Sequence, residues 1–444
     1  MDAILERSRQ LKQELVDFVL DAEGELAVAL ESFAATRSRS QESRYDAAFE
    51  GDLLIDTFLT EGKVGEKTPL DLFLESETEL TESDRNLINN WRRTFISLFA
   101  VTQILPDGFE LMNWLTAKHY IVKPNDPKTQ AEMSNFKIGE ILLTRISPLT
   151  DTEWMFSGPC RQLGNLGKPK LAVAIGNFKD NYKKYLYSDA PDLLEEAWQS
   201  VERYHQEFVD FFGGDEVTMP GYQFSKKIAE FQELMTKRRL EAVGIDGYKS
   251  LEEIAQEAGV SEAEIKAAAE EAGADSQEIS QLFDSKGKTK MVTPKVQLPD
   301  NLKKAEQLTI LTHPRWGQTA LPTYSKFKTM LETDDWQSIQ NAEKLVRNYL
   351  EDATINAFIW HRLAEQYPKQ LEKILQTVLE RSNFKLESDL DALLQEFNKP
   401  LEPELPEIAS VPIHLHNLFE EAVAEVNKSK PKSKGQQKAA KGFK

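Results

Sequence analysis

Over residues 93–163 the chain changes its hydrophobic period, and that switch limits the fold more than any other feature. FISLFAVTQIL, FELMNWL, HYIVK, EILLTRI and EWMFSG are short, rich in β-branched and aromatic residues, and separated by turn signals such as PDG (106–108) and PNDP (124–127). This spacing predicts five strands in a small antiparallel sheet or barrel. The connections are short enough for hairpins, so a β-meander is the expected topology. A glycine- and proline-rich stretch, 158–169, closes the module.

Everything around this module repeats at the helical period. Ile4, Leu11, Leu15, Phe18, Val19, Ala22, Leu26, Leu30 and Phe33 fall three and four apart, which predicts one long amphipathic helix within residues 1–45, ending at the polar TRSRSQES break. Short helices are expected over 46–92, and a helical region over 171–243 with breaks at Gly213-Gly214 and Met219-Pro220-Gly221. A compact helical unit over 249–283, a lysine-bearing linker over 285–299 and a helical bundle over 301–398 follow. Proline-rich residues 399–412 lead into a short helix, 413–427, and a tail, 428–444. The expected fold class is therefore mainly α with a discrete small antiparallel β module, an α+β multidomain chain.

Charge is divided unevenly. The 444 residues carry a net charge of −19, yet the final 18 hold seven lysines and no acid, which leaves residues 1–426 at −26. An acidic body argues against wrapping nucleic acid broadly, because phosphate contacts need clustered Lys or Arg. The tail composition cannot build a core, so it is expected to be disordered. Lys428, Lys430, Lys432, Lys434, Lys438, Lys441 and Lys444, with Lys286, Lys288, Lys290 and Lys295 of the linker, are the candidate anion-binding residues. They suit RNA, an anionic membrane surface or an acidic protein patch.

Cys160 is the only cysteine, which excludes an internal disulfide or a multi-cysteine zinc site and suits a reducing compartment. No apolar run approaches the ~18 residues of a membrane span, and the N-terminus reads as neither signal nor transit peptide, so the expected location is the cytoplasm, or the stroma of a plastid. The chain lacks the phosphate-cradling, dinucleotide, nucleophile-elbow and zinc-helix motifs. No catalytic, cofactor-binding or metal-ligating residue is assigned. His414 and His416 point to different sides of a helix and are expected to cap and pack.

Two aromatic–arginine clusters are candidate partner-binding residues: Trp91, Arg92 and Arg93 at the entry to the β region, and His313, Arg315 and Trp316 in HPRWGQT, expected between helices. LEEIAQEAGVSEAEIKAAAE, residues 251–270, resembles the helix-turn-helix unit of DNA-binding domains, with Ala255, Gly259 and Ile265 at the small, turn and buried positions. That resemblance implies that the second helix enters a major groove. Its charges oppose this: residues 249–275 hold eight acids against Lys249 and Lys266, so DNA is not the expected partner.

The runs FELMNWLTAKHYIV (109–122) and GEILLTRISPLTDTEWMFSG (139–158) resemble conserved cyanobacterial and plastid proteins of uncharacterised activity that join helical domains to a small β module. That resemblance implies an accessory or assembly role rather than catalysis. A protein partner is the expected one, with RNA- or ribosome-associated binding through the tail as the alternative and an enzyme of unknown reaction as the second. If the tail tracks a single strand with all seven lysines, log affinity falls against log salt with a slope of about −5. Salt titration of RNA binding by the intact and the 428–444-deleted chains measures it.

Overall fold

Alternating apolar residues close five strands into a barrel. Phe109, Leu111, Tyr120 and Val122 face inward on adjacent strands, and they are buried together with Phe95, Phe99, Leu142, Ile146, Trp154 and Phe156. Phe95, Tyr120 and Trp154 meet edge to face, with ring centroids 5.1 to 5.8 Å apart, so the largest aromatics are spent inside. The computed structural model describes residues 3–40, 47–125, 133, 135–242, 291–293 and 295–429. They form two units, Met1–Leu193 with Pro412–Lys444, and Leu194–Val411. The fold is mainly helical with a discrete β module.

In the first unit, α1 (Ala3–Leu20), α2 (Glu25–Ser40), α3 (Ala47–Glu61), α4 (Pro69–Ser76) and α5 (Glu82–Asn90) precede the barrel. Residues 4–33, expected as one helix, break at 21–24, where Gly24 adopts φ +70°. Glycine takes that left-handed conformation without a Cβ penalty, and the apolar period resumes beyond it, which hides the break from a periodicity reading. Helices α4 and α5 start at capping boxes in which Thr68 pairs with Asp71, and Thr81 with Asp84.

The strands are β1 (Phe95–Leu105), β2 (Gly108–Asn113), β3 (His119–Lys123), β4 (Ile141–Pro148) and β5 (Glu153–Gly164). Their order is β1-β2-β3-β5-β4, closed by the β1–β4 pair. The expected meander holds only through β3, because β3 then pairs with β5 in parallel, Ile121 opposite Glu153 and Lys123 opposite Met155. The long connection after β3 allows the crossing, and closure removes exposed strand edges. Helix α6 (Lys168–Asn181) packs Leu171, Ile175 and Phe178 on the barrel core.

The second unit carries α7 (Pro191–Phe212) from Leu194 onward, β6 (Glu216–Met219), α8 (Gly221–Ala242), the short strand β7 (Met291–Val292) and α9 (Asp300–Lys303). A hairpin follows, β8 (Leu308–His313) and β9 (Gly317–Leu321), in an antiparallel sheet of order β6-β8-β9. Residues 301–398, expected as helices throughout, therefore open with strands. LTILTH and GQTAL are short and β-branched enough to pair once β6 supplies an edge. Helices α10 (Tyr324–Glu332), α11 (Ala342–Glu351), α12 (Ala357–Gln366), α13 (Pro368–Val378) and α14 (Leu386–Glu396) form one core around Trp336, Tyr349, Trp360 and Leu363. The last helix, α15 (Ile413–Ser429), belongs to the first unit, runs past the expected end at 427, and seats Leu418 on the barrel core.

A buried ionic network fastens α1 and α3 to the barrel. Arg145 of β4 is wholly buried; its Nε lies 2.7 Å from Asp56, and its guanidinium donates to Glu61 at 3.0 Å, Thr57 at 3.2 Å and Thr60 at 2.8 Å. Lys12 of α1 reaches the same Asp56 at 2.8 Å and donates to Ser157 at 2.9 Å. Glu61 also accepts from Tyr185 and Lys184. Burial pushes the Asp56 carboxyl up, and the cations Lys12 and Arg145 outweigh it, so its pKa lies below the ordinary value. Removing one member of such a network strands the others without solvent. Arg145→Met is expected to destabilise the first unit by about 3–5 kcal/mol, read by urea unfolding at neutral pH against Arg93→Met, whose charge is exposed.

Candidate functional site

The second unit displays a cation–aromatic patch at the tip of the β8–β9 hairpin. His313 pairs with Gly317 across the hairpin, which leaves Pro314, Arg315 and Trp316 as the loop. Gly317 has φ +70°, and a Cβ there would lie 2.5 Å from the Pro406 side chain, so the tip needs glycine on two counts. His313 accepts at Nδ1 from the backbone N–H groups of Arg315 (3.0 Å) and Trp316 (3.2 Å), which puts the imidazole proton on Nε2. Its ring rests on Phe358 of α12, centroids 4.4 Å apart.

Arg315 is exposed, and its guanidinium carbon sits 4.0 Å from the ring centroid of Trp198 on α7. That is close cation–π stacking, and Arg315 forms no salt bridge among the described residues. Trp198 is half-buried, and Trp316 packs partly against the helical core. One heptad along α7 from Trp198, His205 lies 3.4 Å from Thr312 of β8.

The base beneath is rigid because charges fix it. Phe358 and Arg362 sit one turn apart on α12; while Phe358 supports His313, Arg362 pairs with Asp215 at 2.6 and 3.1 Å and with Glu216 at 3.3 Å. The Arg362 hydrogen bonds hold the Asp215 carboxyl below its usual pKa. Lys328 adds a contact to Glu216 at 2.9 Å. The hairpin is thus pinned from α10, α12 and α7.

In the first unit a groove with a volume of about 950 Å³ runs between α1, the 21–24 break, α2 and α4. Its floor includes Phe18 and Phe73, which meet edge to face at 5.5 Å, with Leu26 and Leu72. Its rim is Glu14, Asp17, Asp21, Glu23, Glu75 and Glu77, with no Lys or Arg among the lining residues. Lys67 pairs with Glu75 at 2.7 Å and Arg7 approaches Glu14 at 3.7 Å; Asp17, Asp21, Glu23 and Glu77 form no ion pair among the described residues.

No family model, no curated protein and no solved structure matches this chain. Of the residues singled out from sequence, the structure brings His313, Arg315 and Trp316 together on one hairpin rather than between helices. Trp91 is fully buried, so its ring offers nothing to a partner: it continues the face of Leu87 and Ile88 one turn on, and Lys12 lies 5.4 Å from its ring. Arg92 is exposed but paired with Asp71 at 2.5 Å, and Arg93 is paired with Asp189 at 2.7 Å while lying over Trp154. His414 donates to the Trp114 carbonyl at 2.7 Å and His416 contacts Glu420 at 3.2 Å. Among the described residues no group of His, Cys, Asp and Glu could hold a metal ion. Cys160 packs partly buried against the barrel core.

Lys295 is exposed and Lys428 lies in α15; Lys286, Lys288, Lys290, Lys430, Lys432, Lys434, Lys438, Lys441, Lys444 and the helix-turn-helix-like segment 251–270 fall outside the described residues. Sequence reasoning missed Trp198, His205, Phe358 and Arg362. Trp198 and His205 share the i, i+7 spacing and Phe358 and Arg362 the i, i+4 spacing, but nothing in the local sequence says that these faces meet one hairpin.

Burial lowers the His313 pKa, with His205 and Arg362 adding to it and Asp215 opposing. Burial lowers the His205 pKa too, against Asp215 and Glu202. The folded state then binds fewer protons than the unfolded chain as pH falls through about 6.5, so stability is full above that pH and declines below it. Urea unfolding at pH 7.5 and 5.5 is expected to show the loss at pH 5.5, and His313→Gln is expected to shrink the difference.

Proposed function

We propose that the protein is a non-catalytic accessory factor that binds another protein through the β8–β9 hairpin tip. The observation that carries this reading is the exposed Arg315 stacked on Trp198, beside Trp316, on a base pinned by Arg362. Tryptophan and arginine dominate binding hot spots, tryptophan because it buries a large area for two side-chain torsions, arginine because its planar fork makes directed hydrogen bonds. The stack holds Arg315 in place before contact, and a guanidinium fork of this kind suits a partner carboxylate or carbonyl. The expected partner surface is thus apolar with an acidic or carbonyl-rich centre.

RNA binding, the alternative, has less support from the barrel. Five-stranded Greek-key barrels that bind oligonucleotides use the face of strands two and three. Here the outward residues of β2 and β3 include Glu110, Met112, His119 and Ile121, with Glu110 against His119 at 3.5 Å. Glu153 flanks them on β5, held by Lys123 at 2.9 Å. The one lysine of β2 and β3, Lys123, is taken up by Glu153 and by Asp107 at 3.4 Å, and the stacking aromatics point into the barrel. Among the described residues no helix is long and apolar enough to cross a membrane.

A photo-crosslinking residue in place of Pro314, beside Arg315 in the loop, would identify the partner in the native source, and the purified partner then gives an affinity. Arg315→Ala and Trp198→Ala are each expected to weaken it by about 30-fold or more. Lys344→Ala, on α11, should leave it unchanged. Equal affinity of Arg315→Ala and wild type would remove the hairpin as the binding surface.

A further inference from the structure

The acidic groove of the first unit stands apart from the hairpin patch and calls for a cationic occupant. Four of its carboxylates form no ion pair among the described residues, and its floor is aromatic and aliphatic. The break at 21–24 is what builds it: Asp21, Ala22 and Glu23 turn the chain so that α2 and α4 flank the end of α1. The chain itself contains the complementary segment. Residues 430–444 hold Lys430, Lys432, Lys434, Lys438, Lys441 and Lys444, no acid, and one aromatic residue, Phe443.

We propose that the groove formed by α1, the 21–24 break, α2 and α4 is the docking site of the chain's own lysine-rich C-terminal segment, residues 430–444. Charge complementarity is the first argument: every ionisable lining residue of the groove is acidic, and every ionisable side chain of the segment is basic. Spacing is the second. Lys430, Lys432 and Lys434 recur at every second residue, so an extended backbone presents all three to one side. Reach is the third. The segment leaves α15 after Ser429 within the same unit as the groove, and its 15 residues extend over about 50 Å.

Individual surface ion pairs are weak and screened by salt, so a free lysine peptide would bind poorly. Tethering changes this, because a segment joined to the same unit meets the groove at an effective concentration on the order of millimolar. Phe443 then has an apolar floor at Phe18 and Leu72 within the same groove. Docked in this way, the segment keeps its lysines from phosphates and closes the groove to other basic chains. The acidic body thus restrains its own basic end, and a stronger polyanion or a basic partner releases it.

The test uses the full chain with a photo-crosslinking phenylalanine analogue at position 443. At 50 mM salt the crosslinks are expected to be intramolecular and to map to residues 14–26 and 72–77. Raising salt to 500 mM should lower their yield roughly fivefold, since screening shortens to a few ångströms. The exposed-rim variant Asp17→Asn/Asp21→Asn/Glu23→Gln should abolish them while its circular dichroism and unfolding midpoint match wild type. Crosslinks that map elsewhere, that join two chains, or that persist in the neutralised variant would overturn the proposal, as would their absence at low salt.

Discussion

Arg145 is the interaction on which the first unit depends. A guanidinium with no exposed surface has to be met by charge on the protein, and Asp56 and Glu61 of α3 provide it, five residues apart, with Thr57 and Thr60 between them. Lys12 brings α1 to the same Asp56. The geometry is demanding, because ion pairs removed from water lose hydration that only close and directed contacts offset. The network therefore orients two helices on the barrel more narrowly than apolar packing alone would. The groove lies on the far side of α1 from this anchor, on the stretch carrying Glu14, Asp17 and Phe18, so its wall inherits the orientation that Lys12 sets.

A comparable arrangement holds the second unit. Arg362 ties α12 to the start of β6 through Asp215 and Glu216, and Lys328 repeats the contact from α10. The hairpin tip stands on this base, with His313 capping its own loop and Arg315 lying on Trp198. In each unit a charged anchor is sealed by paired residues, and a different set of side chains faces solvent. Groups with strongly displaced pKa values often mark catalytic sites. Here Asp56, Glu61 and Arg145 are each explained by a structural partner.

The barrel illustrates how a fold and a function separate. Its strands close as β1-β2-β3-β5-β4, while on the outward face of β2, β3 and β5 Glu110 meets His119 and Glu153 meets Lys123, and Tyr120 and Trp154 turn inward.

The sequence alone determined that helices surround one β module, because periods of 3.6 and 2 are local properties of side-chain spacing, and it singled out HPRW as a cluster worth attention. It did not reveal the parallel β3–β5 pair, the break before α2, or the strands β8 and β9, since these depend on register and on an edge supplied from elsewhere in the chain. Trp91, singled out with Arg92 and Arg93 as a candidate partner contact, is buried, because composition is blind to which face a helix buries. Trp198 under Arg315, and Asp56 under Arg145, are partners separated by long stretches of chain. Only tertiary structure decided them, because burial and charge pairing depend on distance in space, which hydrophobic period does not encode.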